Sequence, residues 1–374
     1  MKKNLNSTSP LLKINKLAKH LEHDVRSIAL ENGRRVGTKG HAIVEELLVE
    51  RLKQIGCVPY SGKSFRLPYT QHGIDFTNIV GVVPGKDRSK QPLLIGAHYD
   101  SVIDAPCADD NAAAVAIALA VGELAATATN GVGNLERDLV VAIFDAEEPP
   151  YFQSSSMGSN RFYEDQMKPE GVHAALVMDL VGHDISIPGE LLGNIPRVGS
   201  ALSKIPGIES KDINVPFLSN LLFITGTESN AGLIDIVGEH HSPKGLKVLP
   251  TLNDYVGDMS DHGVFRENGV PYLFLSCGRW AHYHMPSDTP DRLNYKKMAA
   301  ITHYTCDLLA GMDAKEMKRG SSEQFHETLE LEASQLKKVL GPVHNIMLMK
   351  MGIHSISTRS DMTRFAHGLL NAGL

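Results

Sequence analysis

The chain has 374 residues, room for one large α/β domain or two smaller ones, and its 42% hydrophobic and 21% charged content suits a buried core rather than disorder. A formal net charge of −6, with no basic stripe, exerts little pull on nucleic acid or anionic membranes, so neither is expected as a partner. The polar N-terminus does not read as a secretory signal, the apolar run Ala112 to Val121 is too short to span a bilayer, and Cys57, Cys107, Cys277 and Cys306 have no paired spacing; a reduced, cytoplasmic protein is expected.

In chain order, the first clear element is a helix over His41–Ile55, with apolar residues at Ile43, Val44, Leu47, Leu48 and Leu52 and a stop at Gly56. A short apolar run, Pro92–His98, reads as a buried strand. Asn111–Ala126, rich in Ala, Val and Leu, reads as a buried helix, and strands are expected at Leu139–Asp145 and Ala174–Val181. From His183 to Asp258 the chain carries many Gly, Pro, Asn and Ser residues and one clear strand, Leu221–Thr225, so 183–258 is expected to be a cap or lid insertion. A strand at Pro271–Ser276 and a helix at Tyr295–Leu309 follow. The alternation implies an α/β fold: a mixed, mostly parallel sheet with helices on both faces. Residues 1–312 then form the catalytic domain, and the charged, helix-prone 313–374 a helical C-terminal extension.

Acids and histidines gather at the ends of these strands, where open α/β sheets place their ligands. His98 and Asp100 close the first strand, and Asp109 and Asp110 precede the Ala-rich helix. Glu147 and Glu148 follow the next strand, Asp179 ends the one after, and His284 follows the last. Singly, each has an ordinary reading: Asp109 could cap a helix, and Glu147–Glu148 could be an exposed pair. Together, so many carboxylates would repel one another unless cations neutralised them. A mixed imidazole and carboxylate set suits zinc, with manganese or cobalt as substitutes, better than magnesium or calcium. Cys107 is near enough in sequence to approach a metal, although thiolates suit closed structural zinc sites better.

The segments AHYDS (97–101), ADDNAAAVA (108–116), FDAEE (144–148), MDLVG (178–182), SDHGVF (260–265) and YHMPSDT (283–289) run collinearly over roughly Gly33 to Leu309, after a lead-in GRRVGTKG (33–40). They resemble the motifs of the co-catalytic di-zinc aminopeptidases of metallopeptidase clan MH. The resemblance implies two zinc ions: His98 and Asp179 on one, Glu148 and His284 on the other, and Asp109 bridging both. It implies Asp100 as the residue that orients His98, Glu147 as general base, and a cis peptide at Asp109–Asp110. Tyr283 is a candidate donor to the developing oxyanion. Arg279 and Phe217–Phe223 are candidate substrate contacts. The substrate expected is a peptide or aminoacyl amide with a free amine. The loop EEPPYFQSSSMGS departs from the family pattern, as does Ala114 where a glycine is common. Alternatives within the fold are a single-zinc glutaminyl cyclase, a related amidohydrolase or carboxypeptidase, and a catalytically dead binding protein.

Overall fold

The computed structural model describes residues 13–127, 135–188, 212–214, 219–240, 242–318, 327–341 and 343–371. Helix α1 (Ile14–Ile28) buries Leu17, Leu21, Val25 and Ile28 along one stripe and packs on the long helix Tyr295–Ala314. Helix α2 (Lys39–Ile55) starts at Thr38, whose hydroxyl accepts from the His41 amide, and stops at the left-handed Gly56. Its buried face is Val44, Leu48, Leu52 and Ile55; Ile43, expected on that face, lies off the stripe and is exposed. Helix α3 (Ala114–Ala126) is buried from Ala114 through Gly122, as its small side chains allow.

Among the described residues the main sheet has nine strands. They are β1 (Val58–Pro59), β2 (Arg66–Gln71), β3 (Ile74–Val83), β4 (Leu93–His98), β5 (Leu139–Phe144), β6 (Ala174–Met178), β9 (Leu221–Thr225), β10 (Lys247–Pro250) and β11 (Tyr272–Ser276). Their order is β1-β3-β5-β4-β6-β11-β9-β10, with β2 on β3. The remaining two, β7 (Ser186–Pro188) and β8 (Asp212–Asn214), form a separate ribbon. Strands β5, β4, β6 and β11 are parallel neighbours, while antiparallel pairings lie toward the edges. Alternation along the central strands feeds two apolar layers. Leu93, Ile95 and Ala97 face the large core under the helices; Leu94, Val140, Ala142 and Phe144 face a smaller one with Phe162, Phe265 and Tyr272. This is the expected fold class.

Two features differ from expectation. The β2–β3 hairpin is absent from the sequence reading. Its turn is His72–Gly73, both at positive φ, the geometry of a tight two-residue hairpin loop. Pro68 inside β2 and the weak alternation of an edge strand mask it. The segment 183–258 is also more than a cap. Strand β9 pairs antiparallel with β11, β10 extends the sheet from β9, and the helix Ala231–Glu239 packs against Tyr295–Ala314. β10 is four residues long and ends in Pro, too brief to show in a periodicity reading. Phe217 and Leu218, with 189–211, lie outside the described residues.

The C-terminal helices Leu329–Leu340, Val343–Lys350 and Arg359–Asn371 follow. The first packs on β10 and the third on the first. Arg359 joins them through a 2.9 Å ion pair to the buried Glu332 and a 2.7 Å hydrogen bond to Thr328. Among the described residues no helix is long and apolar enough to cross a membrane.

Candidate metal centre

The ends of the four parallel strands deliver the site. β4 ends at His98, β5 leads through Asp145 and Ala146 to Glu147 and Glu148, β6 leads to Asp179, and the loop after β11 brings His284. All four loops leave the same sheet edge, so residues far apart in sequence converge. Two groups result: His98, Glu147 and Asp179, and Asp110, Glu148 and His284.

Nε2 of His98 lies 3.5 Å from Asp110 Oδ1, 3.6 Å from Glu147 Oε2 and 3.6 Å from Asp179 Oδ2. Nε2 of His284 lies 3.3 Å from Asp110 Oδ2 and 3.2 Å from Glu148 Oε2. Ligands at roughly 2.0–2.2 Å around a tetrahedral ion stand roughly 3.3–3.6 Å apart. Nε2 of both histidines, Asp110 Oδ2, Glu148 Oε1 and Asp179 Oδ1 are buried with no hydrogen-bond partner. Both Nε2 atoms and Asp110 Oδ2 are thus unpaired, buried and at this spacing from neighbouring carboxylate or imidazole atoms, which fits divalent ions. The two oxygens of Asp110 face different histidines, so Asp110 spans both groups.

That geometry corrects the expectation for Asp109. Its Oδ1 accepts from the Gly182 amide at 2.6 Å and its Oδ2 meets His183 Nδ1 at 2.5 Å, so both oxygens are engaged away from the two histidines. The cis peptide lies at Asp110–Asn111, one residue beyond the expected place. Two adjacent acids look alike in a sequence; the non-helical backbone at Asp110 and Asn111 decides which one enters the site. Cys107 is buried and belongs to neither group; burial pushes its thiol up to about 12.

The electrostatics describe a site short of positive charge. Burial pushes Glu147 well above the usual carboxylate range, raises Asp179, and takes Glu148 up to about 8, with Asp110 adding to it. Burial opposes protonation of His284, yet Asp110 and Glu148 draw it up to about 10; His98 rises likewise against its burial, with Glu147 the strongest attraction. The acids pull protons onto the imidazoles, a demand that divalent ions would meet.

Asp100 organises one side. It accepts from the Glu147 amide at 3.0 Å and the Glu148 amide at 3.1 Å, and lies 3.3 Å from His98 Nδ1. Burial works against its charge, but His98 and these amides outweigh it and hold the carboxyl low. Tyr283 stacks on His284 with ring centroids 3.7 Å apart and is partly exposed.

Several supporting residues were not singled out from the sequence. Asp288, the acid of YHMPSDT, accepts from the Asp109 amide at 3.0 Å and the Asp110 amide at 3.2 Å, tying the His284 loop to the Asp110 loop. Arg34, in the GRRVGTKG lead-in, is fully buried and donates to the carbonyls of Pro106, Cys107 and Asp110. Gly33 and Gly40 permit this packing, since a Cβ on Gly40 would stand 2.0 Å from the Gly33 carbonyl oxygen. His41 closes a 2.8 Å contact with Asp145, which explains that buried acid without a metal. Asp261, in SDHGVF, is buried beside the first group, and burial pushes it up to about 7 against the pull of His98. The single acids of the quoted motifs SDHGVF and YHMPSDT were the available signal for Asp261 and Asp288.

The chain is 28% identical over 235 residues to the uncharacterized protein YfbL of Escherichia coli, covering 58% of this chain and 66% of that protein. It is 40% identical over 83 residues to an allantoate deiminase of Arabidopsis thaliana, 22% of this chain and 15% of that one. The chain thus spans less than two thirds of these relatives. Among solved structures, LapB from Legionella pneumophila superposes with a TM-score of 0.58 at 16% identity, over 81% of this chain and 75% of that one. A glutaminyl cyclase of Porphyromonas gingivalis gives 0.55 at 16%, over 80% and 99%. A leucine aminopeptidase precursor of Bacteroides thetaiotaomicron gives 0.55 at 14%, over 78% and 96%. At these identities the likeness establishes the fold. A family model matches residues 78–189 and 212–309, more than half of the chain and every residue of the two metal-spaced groups, so the chain belongs to Peptidase family M28.

Proposed function

We propose that the chain is an aminopeptidase that removes N-terminal residues from peptides or aminoacyl amides with the help of two divalent ions, zinc by ligand type. The observation that carries this reading is the pair of histidine–carboxylate groups spanned by the two oxygens of Asp110. His98, Asp179 and Asp110 would hold one ion, and Glu148, His284 and Asp110 the other. Such ions supply an acidified water and polarise the scissile carbonyl.

The chain's own residues do the rest. Glu147 is buried with a carboxyl of raised pKa, suited to take a proton from water and return it to the leaving amine. Asp100, through the Glu147 and Glu148 amides, holds that carboxylate in place and fixes the His98 ring. Tyr283 borders the site beside His284 as a donor to the oxyanion. The surplus of acids favours a substrate with a free, protonated amine, which makes the enzyme an exopeptidase. A cyclase needing one ion would leave His98 Nε2 unpartnered among three carboxylates, which favours the two-ion reading.

The test is turnover of free and N-acetylated aminoacyl amides by the zinc-loaded protein, with bound metal counted. Cleavage of the free series alone, with two ions bound, supports the proposal. Equal cleavage of both series would sink it, as would a single bound ion with pyroglutamate formation.

A further inference from the structure

A cavity of about 530 Å³ touches Asp179 and Tyr283 of the metal site and is otherwise lined mainly by apolar side chains. Its volume is several times that of a roughly 150 Å³ apolar cavity, which suffices for benzene. Part of its wall comes from the body of the fold, Phe223, Leu249 and Phe274, and part from the C-terminal helices, through Leu336, Phe365 and Leu369. The family match ends at residue 309, so this second part of the wall is built by chain beyond it. Exposed Val256, Met259, Tyr283 and Leu370 also line the cavity, which makes its mouth apolar where soluble proteins usually present polar groups. Of the two buried acids in the lining, Asp179 belongs to the metal-spaced groups and Glu332 is paired with Arg359 at 2.9 Å, so away from Asp179 and Arg279 the wall offers little reason to select a charged group.

We infer that the cavity receives a bulky apolar group of the substrate, a long aliphatic chain or a fused ring, and that the Arg359–Asn371 helix sets the size admitted. The inference rests on the aminopeptidase reading only for where the scissile bond lies. Ala366 is the small residue of that helix in the lining, where a larger side chain would intrude; Leu369 supplies apolar surface.

Trp280, the single tryptophan of the chain, lines the same cavity and reports on its occupancy. The experiment titrates the full-length protein with n-alkylamines from butylamine to decylamine, which have no bond to cleave, and follows Trp280 emission. In parallel it compares kcat/KM for 2-aminodecanamide and alaninamide. Affinity should rise by about fourfold per buried methylene until the cavity is full. Ala366→Phe should weaken decylamine at least tenfold more than butylamine and lower the ratio of the two kcat/KM values; Leu369→Ala should weaken decylamine by about tenfold. Thermal unfolding of each variant shows that it is folded, and either one suffices for the test. Affinity independent of chain length, or variants that weaken short and long amines alike, would overturn the inference. If the amine series behaves as expected but neither amide is cleaved, the cavity assignment stands and the aminopeptidase reading fails. If both amides are cleaved and the amine series is flat, the reverse holds.

Discussion

Asp109 and His183 form a buried contact of 2.5 Å between Oδ2 and Nδ1, and His183 Nε2 continues to the Arg279 carbonyl oxygen at 3.0 Å. Trp280 stacks on the same ring. The contact joins the loop that carries Asp110 to the loop that leads to His284, so Asp109, beside the residue that spans both groups, serves as a brace. Gly182 lies against it, where a Cβ would meet Asp109 Oδ1 at 2.6 Å. The two neighbouring acids should therefore separate in experiment. Asp110→Asn should lose bound metal and activity together, while Asp109→Asn should keep metal and lose stability by about 1–3 kcal/mol as His183 loses its charged partner. Metal analysis by mass spectrometry and denaturant unfolding give the two readouts; metal lost only in Asp109→Asn would reverse the assignment.

Glu147 lies close enough to His98 to be counted among ligand-like groups, yet its proposed work is proton transfer. Glu147→Gln should lower kcat by about 10²–10⁴ while two ions remain bound. A fall in metal content alongside the rate would make it a ligand instead.

Stripping the ions leaves several buried carboxylates facing one another. Chelation should lower the melting temperature, and zinc at about 100 times its Kd should restore about 2.7 kcal/mol per bound ion, since ions bind the folded site and not the unfolded chain. Calorimetry with and without chelator checks this, and an unchanged melt would argue against a metal centre.

His262 stacks between Tyr272 and Phe274, and burial holds its imidazole down to about 4, from an ordinary value of 6.5. The unfolded chain therefore binds a proton that the folded chain refuses. This contribution is whole above about pH 6.5 and is lost as pH falls toward 4, on the order of 3 kcal/mol in all. His262→Gln should flatten that part of the stability curve, read by urea unfolding from pH 4 to 7; an identical slope in both proteins would remove His262 as its source.

Arg34 satisfies three main-chain carbonyls of the loop entering the site. Arg34→Met would leave them buried and unpaired, at a cost of about 2–4 kcal/mol. Weaker zinc affinity should accompany the loss, because Asp110 is the last of those three residues; isothermal titration tests it, and unchanged affinity would separate the clamp from the site.

The central strands were legible because burial on both faces leaves an apolar run with few alternatives: Leu221–Thr225 matches its expected span, and Leu93–His98 differs by one residue. The convergence of His98, Glu148, Asp179 and His284 was legible because acids and imidazoles at the ends of apolar strands need a partner. Pairing was less legible. The β2–β3 hairpin and β10 lie toward the sheet's edges, where fewer neighbours constrain side chains and the pattern weakens.

By itself, then, the sequence determined a helix-flanked, mostly parallel sheet and a collection of acids and histidines at its strand ends, because burial and desolvation act on residue type wherever the chain goes. Only the tertiary structure decided which of two adjacent aspartates faces His98 and His284, that Asp145 answers His41, and that helices beyond residue 327 wall a cavity at the site. Those outcomes depend on backbone direction and on contacts between segments more than a hundred residues apart, and neither is encoded in local spacing.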